Sequence, residues 1–523
     1  MRALPPPPAE RLPDGFAVRL DPGTRRRDDG TALLGGSPLR LMRLAPAAGP
    51  LLAGDRLEVT DARTATLAAR LLDAGLAHPE PRPGSTPARE VTVVVPVKDR
   101  TAGLDRLLAA LRADPGTAGC PVVVVDDGSA DPGAVAAVAR AGGAELVRHA
   151  RARGPAAARN AGLRRAATVA VAFVDSDCVP AAGWLDRLAG YLADPRLALV
   201  APRITALPHP VPGWVGRYEA TASALDMGAR PAPVAPRSAV SYVPSAALLA
   251  RRSALGDGFD ESMPVAEDVD LVWRLVAAGW RVRYEPGAEV AHDHRTDPGE
   301  WLRRRAFYGT GAALLAQRHG SAVAPVVISP WSAAAWVLAL AGGRAGPPAA
   351  AAVLATAAAR LARRLTAPGL RPPVGLAAGL VLRGTATSGR TLARAVTRHH
   401  WPLALALSLV SRRARRLTLA VAATDAAAAW WPHRSSIGPL AFAAGRRLED
   451  LGYGAGLWRG ALRARDARAL LPAGPGKVSA LRRGPIAVRG NGGPTTGHWQ
   501  RYSQWPTWAR PERPAPEGTC DHH

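Results

Sequence analysis

Three acidic groups, Asp126-Asp127-Gly128-Ser129, Asp175-Ser176-Asp177 and Glu267-Asp268-Val269-Asp270, stand out in a 523-residue chain whose net charge is +25. Asp175 and Asp177 are two apart at the end of an apolar run, so their side chains leave on the same side of an extended chain. Such a pair suits a hard divalent cation, Mg²⁺ or Mn²⁺, that keeps waters and binds phosphate oxygens. The ion would neutralise charge on a departing diphosphate. Asp126 and Asp127, exposed by the Gly128-Ser129 turn, can accept hydrogen bonds from a base N–H or ribose hydroxyls. Either Glu267 or Asp268 can serve as general base toward an acceptor hydroxyl. Each motif also has a plain reading: a solvated Asp-x-Asp turn, a tight turn, and acids favouring the macrodipole of a first helical turn.

Two further groups join them. Arg159 offers a planar fork to diphosphate or carboxylate, or it only solvates its helix, which Gly154-Pro155 begins and which also carries Asn160 and Arg164. His292 and His294, at i and i+2, can add a metal or phosphate contact, or neither is a ligand.

Elements must place these groups together. Val91 to Val95, Val122 to Val125 and Val169 to Val174 are uninterrupted apolar runs, the first stopping at Pro96. Runs of this kind, separated by helical stretches at 101–112, after Asp131-Pro132-Gly133 and after Gly154-Pro155, predict an α/β domain with a buried parallel sheet. Ligands of such sheets bind beyond the carboxyl ends of the strands, where the first two acidic groups fall. Tyr242 to Arg252 reads as a further strand. A helix starts at Glu267 and presents Leu271, Leu275 and Ala278 on one face.

Four segments follow. Residues 1–88 hold a small α+β module, in which Gly15 to Leu20 alternate as a strand, Gly35-Gly36 break a second, and Leu67, Leu71, Leu72 and Leu76 repeat at helical spacing. This reads as a winged-helix-like hairpin with short helices, or as an extension packed on the next domain, and it ends in a linker from His78 to Arg89. Residues 89–320 are the α/β domain. Residues 321–482 are rich in Ala, Leu and Arg and expected to be helical, and 483–523 to be a disordered tail without periodicity.

Charge separates the halves: residues 301–523 hold 31 Lys+Arg and 7 Asp+Glu, against 36 and 35 in 1–300. The apolar stretch 319–343 has the length to cross a bilayer, but Pro325, Pro330, Gly342 and Gly343 make it a poor span. Amphipathic helices on an anionic membrane surface account for both the apolar runs and the confined charge; a soluble Ala-rich helical domain is the alternative. A nucleic-acid-binding protein, with Trp430, Trp431, Trp458 and Trp499 among arginines, ranks last, because it gives 1–300 no role. Cys120, Cys178 and Cys520 form neither a disulfide framework nor a zinc spacing, and Met1 to Glu10 lack an apolar signal core. A cytoplasmic protein at the inner face of the membrane is expected.

The order of motifs resembles the family 2 glycosyltransferases of GT-A fold: Val-Val-Val-Pro-Val, Asp-Asp-Gly-Ser, Ala-Arg-Asn-Ala-Gly at 158–162, Asp-Ser-Asp, and Glu-Asp-Val-Asp before an apolar helix, between Val91 and about Gly320. The resemblance implies inverting transfer from a nucleotide sugar with Mg²⁺ or Mn²⁺. It places Pro96, Asp99, Asp126, Asp127, Arg159 and Asp175 around the nucleotide, and Asp175, Asp177 and His292 at the metal. Asp268, with Glu267, becomes the catalytic base, and Trp273 and Arg274 contact the acceptor. The Gln-x-x-Arg-Trp signature of processive members is missing; Arg303-Arg304-Arg305-Ala306-Phe307-Tyr308-Gly309 stands in its place. Over its whole length the chain is similar to the branch of this family serving the mycofactocin system of actinobacteria. That implies glucose transferred from UDP-glucose, as a β-1,4-linked oligosaccharide, to a peptide-derived redox cofactor, with residues 12–79 docking a precursor peptide or pathway protein. A lipid or envelope polysaccharide is the alternative acceptor.

Overall fold

The computed structural model describes residues 4–27, 30–52, 54–81, 87–208, 213–366 and 373–474. The expected tail, 483–523, lies outside the described residues. The first unit has strands β1 (Ala17–Leu20), β2 (Arg25–Arg27), β3 (Ala32–Gly35), β4 (Arg40–Arg43) and β5 (Arg56–Glu58), helix α1 (Ala62–Ala74) and strand β6 (Ala77–Glu80). They form two antiparallel sheets, β5-β1-β6 and β2-β3-β4. Asp61 caps α1 by accepting from the Thr64 N–H, and Leu67, Leu71 and Leu72 are buried. The α+β character is as expected, with two short 3₁₀ helices, Pro46–Ala48 and Pro50–Leu52, besides α1, and the start of the expected linker is strand β6. The unit is pinned to the next by Arg281, which pairs with Asp73 at 2.9 Å and Asp194 at 2.8 Å.

The central domain runs β7 (Val91–Val97), α2 (Thr101–Ala113), α3 (Pro115–Ala118), β8 (Val122–Asp126), α4 (Pro132–Ala141), β9 (Glu145–Arg148), α5 (Pro155–Arg165), β10 (Ala170–Val174), β11 (Cys178–Pro180), α6 (Trp184–Ala189), β12 (Leu197–Ala206), α7 (Trp214–Ala222), β13 (Ala232–Pro233), β14 (Ala247–Arg251), α8 (Glu267–Ala277), β15 (Arg281–His292) and α9 (Pro298–His319). Its sheet is ordered β11-β15-β12-β14-β10-β7-β8-β9, with β13 on β15. The expected parallel block is β10-β7-β8-β9, and β14 joins β10 antiparallel. Pro96 does not end its strand; β7 continues to Val97. Side chains alternate across the sheet, so Val93 and Val95 face one core, with Leu104, Leu107, Leu108 and Leu111, while Val94 faces the other, with α5 and α8. Each buried Val or Leu contributes roughly 1.5–3 kcal/mol, which fixes the strand ends where the acids sit.

The last segment is helical: α10 (Pro330–Ala341), α11 (Gly346–Leu365), α12 (Val374–Arg394), a π-turn at Ala395–His399, α13 (Trp401–Val410), α14 (Arg412–Trp430) and α15 (Pro439–Ala464). Among the described residues no helix is long and apolar enough to cross a membrane. The stretch 319–343 is divided between the end of α9, a 3₁₀ turn and α10.

Candidate active site

A cavity of about 820 Å³ opens beyond the carboxyl ends of β7, β8 and β10. Pro96, Asp127, Arg159, Asp175, Asp177, Glu267, Asp268, Trp273 and His292 all line it. Asp127 is fixed by hydrogen bonds from His149 Nδ1 and from the backbone N–H groups of Arg153 and Gly154, each 2.8 Å. It thereby shapes the entry to α5, whose first turn faces the cavity. Its neighbour is turned the other way by the pleat. Asp126 is fully buried and accepts from the Ser129 N–H and from Arg148, both at 2.8 Å. Burial pushes its pKa up, but those bonds hold it below the usual carboxylate range.

Arg159 is the hub of the floor. Its guanidinium is buried and bonds Glu267 at 2.9 Å and Asp175 at 2.7 Å, tying α5 to α8 and to the end of β10. Burial opposes its charge, yet the two carboxylates push its pKa up. Burial, joined by the adjacent acid in each case, raises both Asp175 and Glu267 above the ordinary range against the pull of Arg159. Arg159 Nε is buried without a hydrogen-bond partner among the described residues.

Asp177 meets Arg100 at 2.9 Å through one oxygen and His292 Nε2 at 3.6 Å through the other. One oxygen and one nitrogen donor thus converge at the cavity wall, with Asp175 two residues away. Among the described residues no group of three or more His, Cys, Asp or Glu closes into a metal cage. Asp177, His292 and Asp175 would hold a Mg²⁺ or Mn²⁺ with its other positions left to phosphate oxygens and water.

Asp268 sits at the start of α8, just after Ala266, which adopts φ +64°. A left-handed alanine costs on the order of 1 kcal/mol and is kept where its geometry is used. Asp268 accepts from the Val269 N–H at 2.8 Å and the Ser245 N–H at 3.1 Å. It makes no ion pair with a described residue, whereas Glu267 is taken by Arg159 and Asp270 by Arg274 and His319. Tyr242, pushed up to about 12 by burial and then by the Asp268 charge, remains a neutral phenol in the same wall.

Residues 92–255 match the family described as "Glycosyl transferase family 2". Over 482 residues, 89% of this chain and 99% of the relative, the sequence is 48% identical to the pre-mycofactocin glycosyltransferase of Mycobacterium tuberculosis. The chain belongs to glycosyl transferase family 2. Solved structures to which the chain is similar include a mannosyltransferase from Pyrobaculum calidifontis in complex with GDP-Man and Mn²⁺ (22% identity, 70% of this chain and 89% of that one, TM-score 0.36) and S. aureus TarS residues 1–349 (21%, 43% and 65%, TM-score 0.32). The matched segment lies within the α/β domain of strands β7 to β15.

Within this family 2 enzyme three expected contacts are not at the cavity. Asp126 and Asp99 build the loop instead: Asp99, at φ +55°, accepts from the Ala130 N–H at 2.7 Å and donates its own N–H to the Ser129 hydroxyl oxygen, 3.0 Å away. Arg274 points from the far face of α8, bonding Asp270 at 2.7 Å and the Gly258 carbonyl at 2.8 Å. Trp273 does line the cavity, its indole N–H on the Ser241 carbonyl. Other lining residues carry no signal in the motifs: Lys98 and Arg100 after β7, Arg295 and Arg304 flanking the start of α9, and Arg398, His399, Tyr453 and Leu457 from the C-terminal helices. Lys98 is one of only two lysines in an arginine-rich chain, the one hint that the sequence offers.

Proposed function

We propose that this protein is an inverting, metal-dependent glucosyltransferase that uses UDP-glucose and builds a β-1,4-linked oligosaccharide on the peptide-derived cofactor mycofactocin or its precursor. The acceptor is supported by the 48% identity, across nearly the whole relative, to a pre-mycofactocin glycosyltransferase. The observation that carries the chemistry is that Asp268, among the described residues, is the carboxylate of α8 that lines the cavity without a paired cation. It can therefore take the proton of an acceptor hydroxyl as that oxygen attacks the anomeric carbon. Asp127 and Pro96 border the nucleoside end. Arg159 keeps Asp175 and Glu267 in place beneath the diphosphate. A Mg²⁺ or Mn²⁺ held by Asp177 and His292, with Asp175, would offset the charge on the leaving nucleotide. Residues 12–79 are assigned the docking of a precursor peptide or pathway protein. Incubation with UDP-glucose and either metal, with and without pre-mycofactocin, tests the reading. Acceptor-dependent UDP release and addition of a hexose mass are expected; binding of UDP with no transfer to that acceptor would reject it.

A second reading, a membrane-associated enzyme acting on a lipid or envelope polysaccharide, is favoured by one feature. Leu403, Leu405, Leu407, Leu409 and Val410 of α13 are all exposed, directly before Arg412, Arg413, Arg415 and Arg416.

A further inference from the structure

We propose that the end of the cavity beyond Asp268 is an acceptor subsite built by the C-terminal helices, where His399 Nδ1 bonds a polar edge group of the acceptor and Tyr453 packs against a flat, uncharged ring. This rests on the reading of the chain as a transferase with a soluble acceptor. The wall is formed by Arg398 and His399 from the π-turn, Tyr453 and Leu457 from α15, and Ala469, in the same cavity as Asp268 and Trp273. A π-turn inserts a residue into a helix and is found mostly where a side chain has been re-aimed for use. Here it interrupts the passage from α12 to α13 at the two residues that enter the cavity.

His399 Nδ1 is buried and has no hydrogen-bond partner among the described residues. Burial, and then the charges of Arg398, His400 and Arg394, push its pKa down to about 3, so the ring is neutral. An unsatisfied buried nitrogen is costly, and a bound hydroxyl, carbonyl or N–H would relieve that cost. Beside it the Arg398 guanidinium lies 3.9 Å from the centroid of Tyr453, and the His399 ring meets the same phenol edge-on at 6.0 Å. The Arg398 guanidinium is held from behind by Glu449 and Asp450, each at 3.4 Å. The wall therefore offers a neutral imidazole nitrogen beside an aromatic ring, which suits a flat ring with one polar edge.

The wall is also rigid. A Cβ on Gly454 would collide with the Arg398 carbonyl oxygen, and one on Gly456 with that of Ala306, so α15 rests directly on the backbones of the π-turn and α9. Trp458 adds a hydrogen bond to the His399 carbonyl at 2.7 Å. A pre-organised wall loses little entropy on binding.

The full-length protein and its His399→Phe, His399→Asn and Tyr453→Leu variants test the subsite by steady-state transfer to pre-mycofactocin and by UDP release to water without acceptor. His399→Phe and Tyr453→Leu are expected to raise the acceptor KM about tenfold, the effect of one lost buried contact, while acceptor-independent UDP release stays at the wild-type rate. His399→Asn, which restores a polar atom near Nδ1, is expected to recover most of the acceptor KM. Should His399→Phe not fold, Tyr453→Leu and His399→Asn carry the comparison. Wild-type transfer with an unchanged acceptor KM in the variants overturns the subsite alone. Absence of wild-type transfer to this acceptor overturns the proposed function and the subsite with it.

Discussion

At the scale of the residue, the division of labour between Glu267 and Asp268 is set by Arg159. Arg159 takes Glu267 at 2.9 Å and leaves Asp268 with only neutral donors. Asp268→Asn is expected to lower kcat by about 10²–10⁴-fold, with UDP affinity by calorimetry within about twofold of wild type, since only proton removal is lost; a larger loss of affinity than of turnover would reject the base assignment. Arg159→Met strands two carboxylates in a buried site and is expected to cost about 3–5 kcal/mol of stability, read as a lowered denaturation midpoint together with weakened nucleotide binding. Most of this site is legible in the sequence, because a carboxylate at the end of a buried apolar strand is costly to keep there unless a ligand or a cation meets it. Asp127, Asp175, Asp177, Arg159, Asp268 and His292 all reach the cavity. Asp126 turns away from it because successive residues of an extended chain point to opposite faces, and Arg274 because its face of the helix depends on what packs around it. Of the cationic wall from Lys98 to Arg304 only the rare lysine, Lys98, is hinted at, since single Arg residues in an arginine-rich chain carry no local signature.

At the scale of the element, apolar runs and Gly-Pro starts mark strands and helices well, while the packing of the last helices on the catalytic domain depends on contacts distant in sequence. By composition the basic C-terminal half reads as amphipathic helices on an anionic membrane surface, yet part of its charge is internal. Glu449 is buried between Arg398 at 3.4 Å and Arg305 at 4.0 Å and receives the Tyr218 hydroxyl at 2.8 Å, and Asp450 pairs with Arg394 at 2.9 Å. Burial pushes Glu449 up, but the arginines win and hold it down at about 2. Its folded pKa lies below its unfolded value, so its contribution is present above about pH 4.5 and lost as pH falls toward 2. A shift of this size corresponds to about 3 kcal/mol. Glu449→Gln is accordingly expected to be destabilised by that order near neutral pH and to converge with wild type near pH 2, in denaturation curves taken across this range. A constant difference at every pH would show that the network adds packing rather than charge. Because α15 also supplies Tyr453 to the cavity, the destabilised variant should lose acceptor turnover before it loses nucleotide binding.

At the scale of the whole molecule, one end joins nucleotide and acceptor walls and another leaves apolar surface uncovered. Ser408 is the only buried side chain of α13, all of whose residues are described, and on α10 Val337 and Leu340 are 64% and 53% exposed. Arg413 donates to the Leu340 carbonyl at 2.7 Å, so the two helices and the arginine cluster form one patch. Contiguous exposed leucine beside arginine has the chemistry of an interaction surface, and the second reading places it on an anionic bilayer. Removing 321–523 cannot test this, because that cut also strips Tyr453, His399 and Leu457 from the cavity. A substitution confined to the patch can. The triple variant Leu405→Ser, Leu407→Ser and Leu409→Ser removes apolar area, and Arg412→Glu with Arg413→Glu removes about 1 kcal/mol of attraction per arginine. Wild type is expected to sediment with phosphatidylglycerol vesicles, less so at high salt, and weakly with phosphatidylcholine. Both variants should stay in the supernatant while transferring glucose to the soluble acceptor at wild-type rates. Wild type that ignores vesicles but elutes as a dimer, with the leucine variant monomeric, would assign the patch to self-association instead. Vesicle binding accompanied by transfer only when the acceptor is itself in the bilayer would favour the lipid reading over the soluble one.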